Sequence, residues 1–341
     1  MNYNDYKKIA LLLSEPRRIV LTAHSNPDGD TIGSCLALYH FFNKLGHQAF
    51  VISPNPIPIY LQWLTDFEKI LVYDNDIQLV KSCIAEAELI FAIDYNAFNR
   101  SGKALEEILE ALTIPTVLID HHPNPHEVFD AIISDTSASS TAELIFRFIE
   151  DLDQLQIIDN AIAESLYVGL LTDTGSFSFS INSDKPYKIA AFLFNIGIDI
   201  QYINQRVYGS FTESKLRLTG FAISQKLVVL PELRFAYIAL SNEELIQFNH
   251  QIGDTEGLVN YGLGIENIVA AALLVEKEGK IRISFRSKGD FAVNDIAFKY
   301  FAGGGHKNAA GGDSFVSMQE TIEKLHSILY LYKTEINAIK L

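Results

Sequence analysis

Cysteine is nearly absent from this chain. Cys35 and Cys83 are the only two in 341 residues, and neither belongs to a Cys-x-x-Cys pair or a zinc-like spacing, so a disulfide framework and a thiolate metal site are both disfavoured. A reduced, cytoplasmic setting is the expectation. Positive charge is also scarce: 27 Lys and Arg face 42 Asp and Glu, for a net charge of -15. Such a chain repels a long polyanion unless its basic residues are gathered in one place, so a phosphate-bearing partner is expected to be short, and long duplex nucleic acid is not expected. No apolar run approaches the roughly 20 residues of a membrane span. The opening Met1-Asn2-Tyr3-Asn4-Asp5 lacks the basic-then-apolar profile of an export signal, so no membrane partner is expected. Internal repeats, low-complexity tracts and coiled-coil heptads are missing too.

What is there is a chain 48% apolar, long enough for two cored domains. A short amphipathic helix over 6–13 leads into an apolar strand over 18–23. Residues 31–45 follow helical spacing up to Gly46, residues 49–53, 89–93 and 116–119 read as further strands, and residues 101–112, 141–151 and 159–171 as helices. Strands alternating with helices imply an α/β fold with a doubly wound parallel sheet. Helical patterns over 185–197 and 213–221 lead to a different texture after about 226. There, β-like runs at 227–230, 235–240, 269–275 and 281–285, with helices near 242–248 and 320–331, predict a smaller α/β domain with a mixed sheet. The expected organisation is a first domain over 1–195, a helical linker over 196–225 and a second domain over 226–341, with an active-site cleft between the two domains.

Acidic and imidazole residues recur where the apolar segments end. His24-Ser25-Asn26-Pro27-Asp28-Gly29-Asp30 follows the first strand, Asp94 the run 89–93, Asp120-His121-His122 the run 116–119, and Asp173 the helix 159–171. Strand ends in an open α/β sheet share one edge, where ligand sites gather. Taken alone, the His24–Asp30 loop reads equally well as a polar turn with helix-capping carboxylates; the repetition favours one shared site. Were they to converge, four carboxylates and two imidazoles without a thiolate would suit Mn or Mg better than zinc, and two divalent cations would balance the clustered negative charge.

Elsewhere, Gly303 to Gly305 offers backbone amides unobstructed by side chains, which suits either a phosphate nest or a plain turn. Arg286 ends a β-like run and suits a bidentate phosphate grip, with solvated charge as the alternative; Lys288 reads as solvated charge. Arg100 and the helix-start run Ser139-Ser140-Thr141 are further phosphate candidates, the latter explained equally by capping. His40, His47, His126, His250 and His326 have no motif neighbours and read as surface or core residues. Phe177 and Phe179 alternate as in a buried strand.

The ordered set His24-x-x-x-Asp28-x-Asp30, Asp94, Asp120-His121-His122 and Asp173 resembles the four-part signature of the DHH phosphoesterase superfamily. Gly303-Gly304-Gly305-His306-Lys307-Asn308-Ala309-Ala310-Gly311-Gly312 resembles the glycine-rich motif of the DHH-associated C-terminal domain. Both sets in this order, over nearly the full length, are similar to the small stand-alone nanoRNases, oligoribonucleases with pAp phosphatase activity. Phosphodiesterases of cyclic and linear dinucleotides are similar relatives. The resemblance implies two divalent ions, Mn2+ first and Mg2+ or Co2+ as alternatives, with His24 and Asp28 on one, Asp30, His121 and Asp173 on the other, and Asp94 bridging.

It also makes His306 a ligand of substrate phosphate, with Gly304 and Gly305 beside it. His122, next to a ligand, is the candidate for contacting phosphate and protonating the leaving oxygen, and Asp120 for orienting the imidazoles, a local backbone cap being the plainer reading of Asp120. The expected activity is metal-dependent hydrolysis of short RNA, linear dinucleotides and 3',5'-bisphosphoadenosine. The alternatives are a cyclic-dinucleotide phosphodiesterase, a RecJ-like exonuclease, which would need more basic surface, a pyrophosphatase, which would have no use for Gly303 to Gly312, and a non-hydrolytic nucleotide sensor. A homodimer is compatible with all of them.

Overall fold

In the computed structural model, which describes residues 3–179, 181–209 and 211–340, the short apolar runs of the first half are strands buried on both faces. Ile19 and Leu21 face one core while Val20 faces another; Phe91 opposes Ile90 and Ala92, and Val117 and Ile119 oppose Leu118 in the same way. Burial on both sides is what a parallel sheet covered by helices requires, and it explains why these runs are continuously apolar rather than alternating. The strands are β1 (Arg18–Thr22), β2 (Gln48–Ser53), β3 (Leu71–Val72), β4 (Leu89–Ile93), β5 (Thr116–Asp120) and β6 (Ala131–Ser134). All are parallel, in the order β3-β2-β1-β4-β5-β6. The order reverses between β1 and β4, and a crevice opens at such a switch point beyond the carboxyl ends of the strands.

Helix Gly29–Lys44 packs on helix Asn160–Asp173 at very close range. A Cβ on Gly33 would fall 2.4 Å from the Ser165 carbonyl, and one on Gly169 would fall 2.7 Å from the Asp30 carboxylate. The two glycines therefore let the helices approach until Asp30 and Asp173, one on each, point into the same crevice.

The chain divides into two compact units, 1–210 and 211–341. The second is built on a mixed sheet of β7 (Leu227–Leu230), β8 (Phe235–Leu240), β9 (Ala270–Lys277), β10 (Lys280–Ser287), β11 (Gly304–His306) and β12 (Ala309–Ser314), ordered β11-β12-β10-β9-β8-β7. Only β8 and β9 run parallel; the other neighbours are antiparallel. Along β10 the residues Ile281, Ile283 and Phe285 are buried against helices Val293–Tyr300 and Met318–Leu331, so Arg282, Ser284 and Arg286 take the opposite face. The fold is thus the doubly wound parallel sheet and the smaller mixed-sheet domain that the periodicity implies.

Some local expectations change. Phe177 and Phe179 do not lie in a strand: the helix ending at Asp173 is followed by a turn in which Gly175, Ser176 and Phe177 have φ of 53°, 58° and 60°. Phe177 stacks on Tyr187 with ring centroids 5.5 Å apart, and Phe179 is exposed. Gly304 and Gly305 belong to a hairpin strand rather than an open turn. A Cβ on Gly303 would lie 2.0 Å from the Gly311 carbonyl, and Gly305 has φ of 134° against Ala309, so these two glycines serve close backbone pairing.

Candidate metal centre

Three strands deliver the site from their carboxyl ends: β1 leads to His24, β4 to Asp94, and β5 ends in Asp120 ahead of His121 and His122. Asp94 takes a left-handed backbone, φ 64°, which is uncommon for a residue with a Cβ and turns its carboxylate back over the sheet edge. Asp28 caps the Gly29–Lys44 helix, accepting from the backbone N–H of Asp30 and Thr31 at 3.1 Å each. Both readings of this loop therefore hold at once: Asp28 is a helix cap, and its carboxylate faces the site. Asp173 arrives differently, on the last turn of helix Asn160–Asp173.

The six expected ligands come together. One ligand atom each from His24, Asp28 and Asp94 lies within 4.8 Å of the others, and the same is true of Asp30, Asp94 and His121. Asp94 belongs to both groups. Its Oδ2 is 3.5 Å from His24 Nε2, and its Oδ1 is 3.7 Å from His121 Nε2. Asp173 joins the second group, with Oδ2 at 3.5 Å from His121 Nε2. Both imidazoles are fixed by backbone carbonyls, His24 Nδ1 on Ser25 at 3.0 Å and His121 Nδ1 on Ala138 at 3.3 Å. A carbonyl only accepts, so Nδ1 carries the proton and Nε2, the atom facing the carboxylates, is left as a ligand.

Electrostatics at this crevice are severe. Burial, together with the charges of Asp94 and Asp173, holds the Asp30 carboxyl well above its ordinary pKa. Asp173 is pushed up to about 6 by burial, with His121 opposing and Asp94 adding to the rise. For His121 burial alone would lower the pKa, but the carboxylates of Asp173, Asp94 and Asp30 outweigh it and push it up to about 9. His24 is likewise raised, the pull of Asp94 and Asp28 overcoming burial. Burial works against ionisation of Asp94 too, yet the imidazoles of His24, His122 and His121 hold it below the usual carboxylate range. Packed acids that need protons or imidazolium neighbours to coexist are a donor set suited to divalent cations, and oxygen and imidazole donors without a thiolate point to a hard ion.

The other expected residues fall into place around this cluster. Asp120 is fully buried and accepts from His122 Nδ1 at 2.7 Å, while its Oδ2 has no hydrogen-bond partner among the described residues. It orients His122 rather than capping backbone. The Arg100 side chain is exposed, and its carbonyl accepts from Ser25 N–H at 2.7 Å, which steadies the loop after β1. Ser139 and Ser140 are capping residues, bonded to Glu143. In the second unit Arg286 pairs with Ala309, and Ala309 with His306, so Arg286 and His306 stand on one sheet face on either side of a small residue. Strands two apart are separated by about 10 Å. Gly304 leaves open space where a Cβ would be, with nothing within 4 Å among the described residues.

Three residues that the sequence left unassigned to the centre, Thr31, Thr141 and Ala142, are bonded to its ligands. Thr141 N–H and Ala142 N–H donate to the two Asp30 oxygens at 2.6 and 2.9 Å, so the N-terminus of helix Thr141–Asp151 binds a carboxylate of the chain itself. Thr31 and Thr141 also donate their hydroxyls to Asp94, at 2.6 and 2.8 Å. The one signal in sequence was their position at the start of helices.

Comparison with known proteins agrees with this site. The DHH family, N-terminal domain, matches residues 18–170, and the DHHA1 domain matches residues 235–330. The chain is 28% identical, over 87% of its length and 89% of the relative's, to the bifunctional oligoribonuclease and PAP phosphatase NrnA of Bacillus subtilis. It is 26% identical to the cyclic-di-AMP phosphodiesterase PdeA of Listeria monocytogenes, over 94% of this chain and 48% of that protein. The crystal structure of an exopolyphosphatase-related protein from Bacteroides fragilis superposes with a TM-score of 0.92 at 35% identity, covering 98% of each chain. With signature, fold and relatives in agreement, the chain belongs to the DHH phosphoesterase family, carries its DHHA1 domain, and is a hydrolase of phosphoester bonds.

Proposed function

We propose that this hydrolase removes nucleotides from very short RNA and linear dinucleotides and takes the phosphate from 3',5'-bisphosphoadenosine, using two divalent cations, Mn2+ foremost. The observation that carries the reading is Asp94, which joins the His24–Asp28 group, with Oδ2 facing His24, and the Asp30–His121 group, with Oδ1 facing His121. His24 and Asp28 would hold one ion, Asp30, His121 and Asp173 the other, with Asp94 shared. When bound, such a pair neutralises the carboxylates, polarises phosphoryl oxygens and acidifies a water. The chain's own residues supply the rest. Asp120 accepts the Nδ1–H of His122, and His122 as an imidazolium would give its Nε2 proton to the leaving oxygen. Arg286 and His306, on one sheet face with Ala309 between them, offer donors for a substrate phosphate.

The names of relatives aligned over most of their length, and the net charge of -15, support short substrates over long strands. A second reading, cleavage of cyclic dinucleotides, has the similarity to the Listeria phosphodiesterase in its favour, although this chain spans about half of that protein. The test is a product time course with Mn2+ on end-labelled RNAs from dinucleotides to about decamers, alongside bisphosphoadenosine and cyclic diadenylate. Fast release of mononucleotides from the shortest RNAs, with phosphate release from bisphosphoadenosine, is expected. Preference for the longest RNAs, or turnover of the cyclic substrate alone, would overturn the proposal.

A further inference from the structure

Asp94 is the residue on which the two-ion reading turns, and its geometry is set by two side chains that have no role of their own in that reading. Both are threonines, both are fully buried, and each donates to a different oxygen: Thr31 Oγ1 to Oδ2 at 2.6 Å and Thr141 Oγ1 to Oδ1 at 2.8 Å. The oxygen that Thr31 holds is the one 3.5 Å from His24 Nε2, and the oxygen that Thr141 holds is the one 3.7 Å from His121 Nε2.

We infer that Thr31 and Thr141 are positioning residues that hold the Asp94 carboxylate edge-on, so that Oδ2 serves the His24–Asp28 group and Oδ1 the Asp30–His121 group. The inference rests on the two-ion reading and deepens it.

The physical argument concerns the freedom of the carboxylate. The terminal torsion of an Asp side chain is broad and has no strong staggered preference, so packing alone does not choose the plane of the carboxylate. One hydroxyl on one oxygen would still let the group swing about that contact. Two hydroxyls on opposite oxygens, each brought in by the first turn of a different helix, fix the plane. Each carboxylate oxygen can accept more than one hydrogen bond or ligand bond, so a threonine on one lone pair leaves the other directed at its ligand group.

Thr31 also lies within 3.2 Å of Asp28 Oδ1, which ties it further to the His24–Asp28 group. Thr141 in turn gives its backbone N–H to Asp30 Oδ2 and so is tied to the other group. Each threonine thus contacts two carboxylates of the same group. It follows that the two hydroxyls act on different ions.

The test is calorimetric titration of the full-length, metal-free protein with Mn2+, read together with the electron paramagnetic resonance of the loaded protein, for wild type, Thr31→Val, Thr31→Ser, Thr141→Val and Thr141→Ser. Valine keeps the volume and removes the hydroxyl, while serine keeps the hydroxyl. Partners that orient metal ligands typically contribute roughly 10- to 100-fold in affinity. Each valine variant is expected to weaken one of two binding steps by about that factor, leave the other near wild type, and lose the exchange-coupled dimanganese signal at sub-saturating Mn2+.

The serine variants should restore both steps and the coupled signal. Should a valine variant fail to fold, the corresponding Thr→Ala protein is titrated in its place, with the same expectation. Two wild-type binding steps in both valine variants, or equal losses in the valine and serine variants, would overturn the inference while leaving the two-ion reading intact. A wild-type protein that binds a single ion would instead overturn the two-ion reading, and the inference with it.

Discussion

In the first unit the polar residues of the centre are sunk into the fold: Asp30, Asp94, Asp120 and His121 are all buried. In the second, Arg286 and His306 are half-buried on one sheet face, next to glycines that let strand backbones close on each other. Burying three carboxylates near two imidazoles, His24 and His121, is tolerable only where charge is to be neutralised, whereas the guanidinium and imidazole of the second unit are only partly buried. The difference teaches a division of labour. Changes in the first unit should act on turnover and metal binding, and changes in the second on substrate affinity.

The largest effect is expected from Asp30→Ala or His121→Ala. Each should abolish Mn2+-dependent hydrolysis, a loss well beyond the roughly 100-fold of an outer partner, with the circular dichroism of a folded protein retained. Full activity in either variant would break the comparison at once. Next comes Asp120→Asn, which removes the acceptor that keeps the His122 proton on Nδ1. A fall in kcat of about 10²- to 10⁴-fold with KM little changed is expected, the range of a general acid–base group. Smaller, and of the opposite kind, Arg286→Ala and His306→Ala should each raise KM for a dinucleotide about 10- to 100-fold, as loss of a charged hydrogen bond does, while Mn2+ affinity stays at the wild-type value. An unchanged KM would remove the second unit from substrate binding.

A gentler probe is pH. His121 is pushed up to about 9 and Asp173 to about 6, so a cation must displace protons that the metal-free crevice holds tightly. Apparent Mn2+ affinity should therefore climb from pH 6 to 9, by up to about tenfold per unit for each proton displaced, and flatten above that. Stability of the metal-free protein should move the other way. Both folded-state values lie above the ordinary 6.5 and 3.8, so the stabilisation is complete below those values and is lost as pH rises through about 6 and then about 9. A melting temperature of the metal-free protein that rises across this window would contradict the electrostatic account.

The smallest effect separates the glycines. Gly304→Ala should change stability by no more than about 0.5 kcal/mol, since its Cβ would meet open space among the described residues. Gly303→Ala, facing the Gly311 carbonyl at 2.0 Å, should be clearly destabilising in denaturant unfolding.

Much of this was legible in the sequence. Strands buried on both faces announce themselves as apolar runs, and His24, Asp94 and His121 stand just past three of them, so the parallel sheet and its ligand edge could be read together. Asp173 was legible as an acidic terminus although a helix delivers it. What could not be read is whatever depends on register or on side-chain rotation. The placement of Arg286 beside His306 is set by antiparallel pairing through Ala309, and no residue pattern specifies that register. Thr31 and Thr141 look like ordinary helix-start residues, and only the close approach of their helices to Asp94 gives them a further role. The turn at Gly175 to Phe177 escaped because three left-handed residues in a row have no periodic signature. The two phenylalanines mimicked a strand instead.

The central claim is that one shared carboxylate builds a two-ion hydrolytic centre. It is tested most directly by adding Mn2+ stepwise to metal-free protein and following both the ions bound per chain and the hydrolysis of a linear diadenylate. The account predicts that binding saturates at two ions and that turnover appears as the second site fills. Saturation at a single ion with full turnover, or turnover that persists in excess chelator, would contradict it.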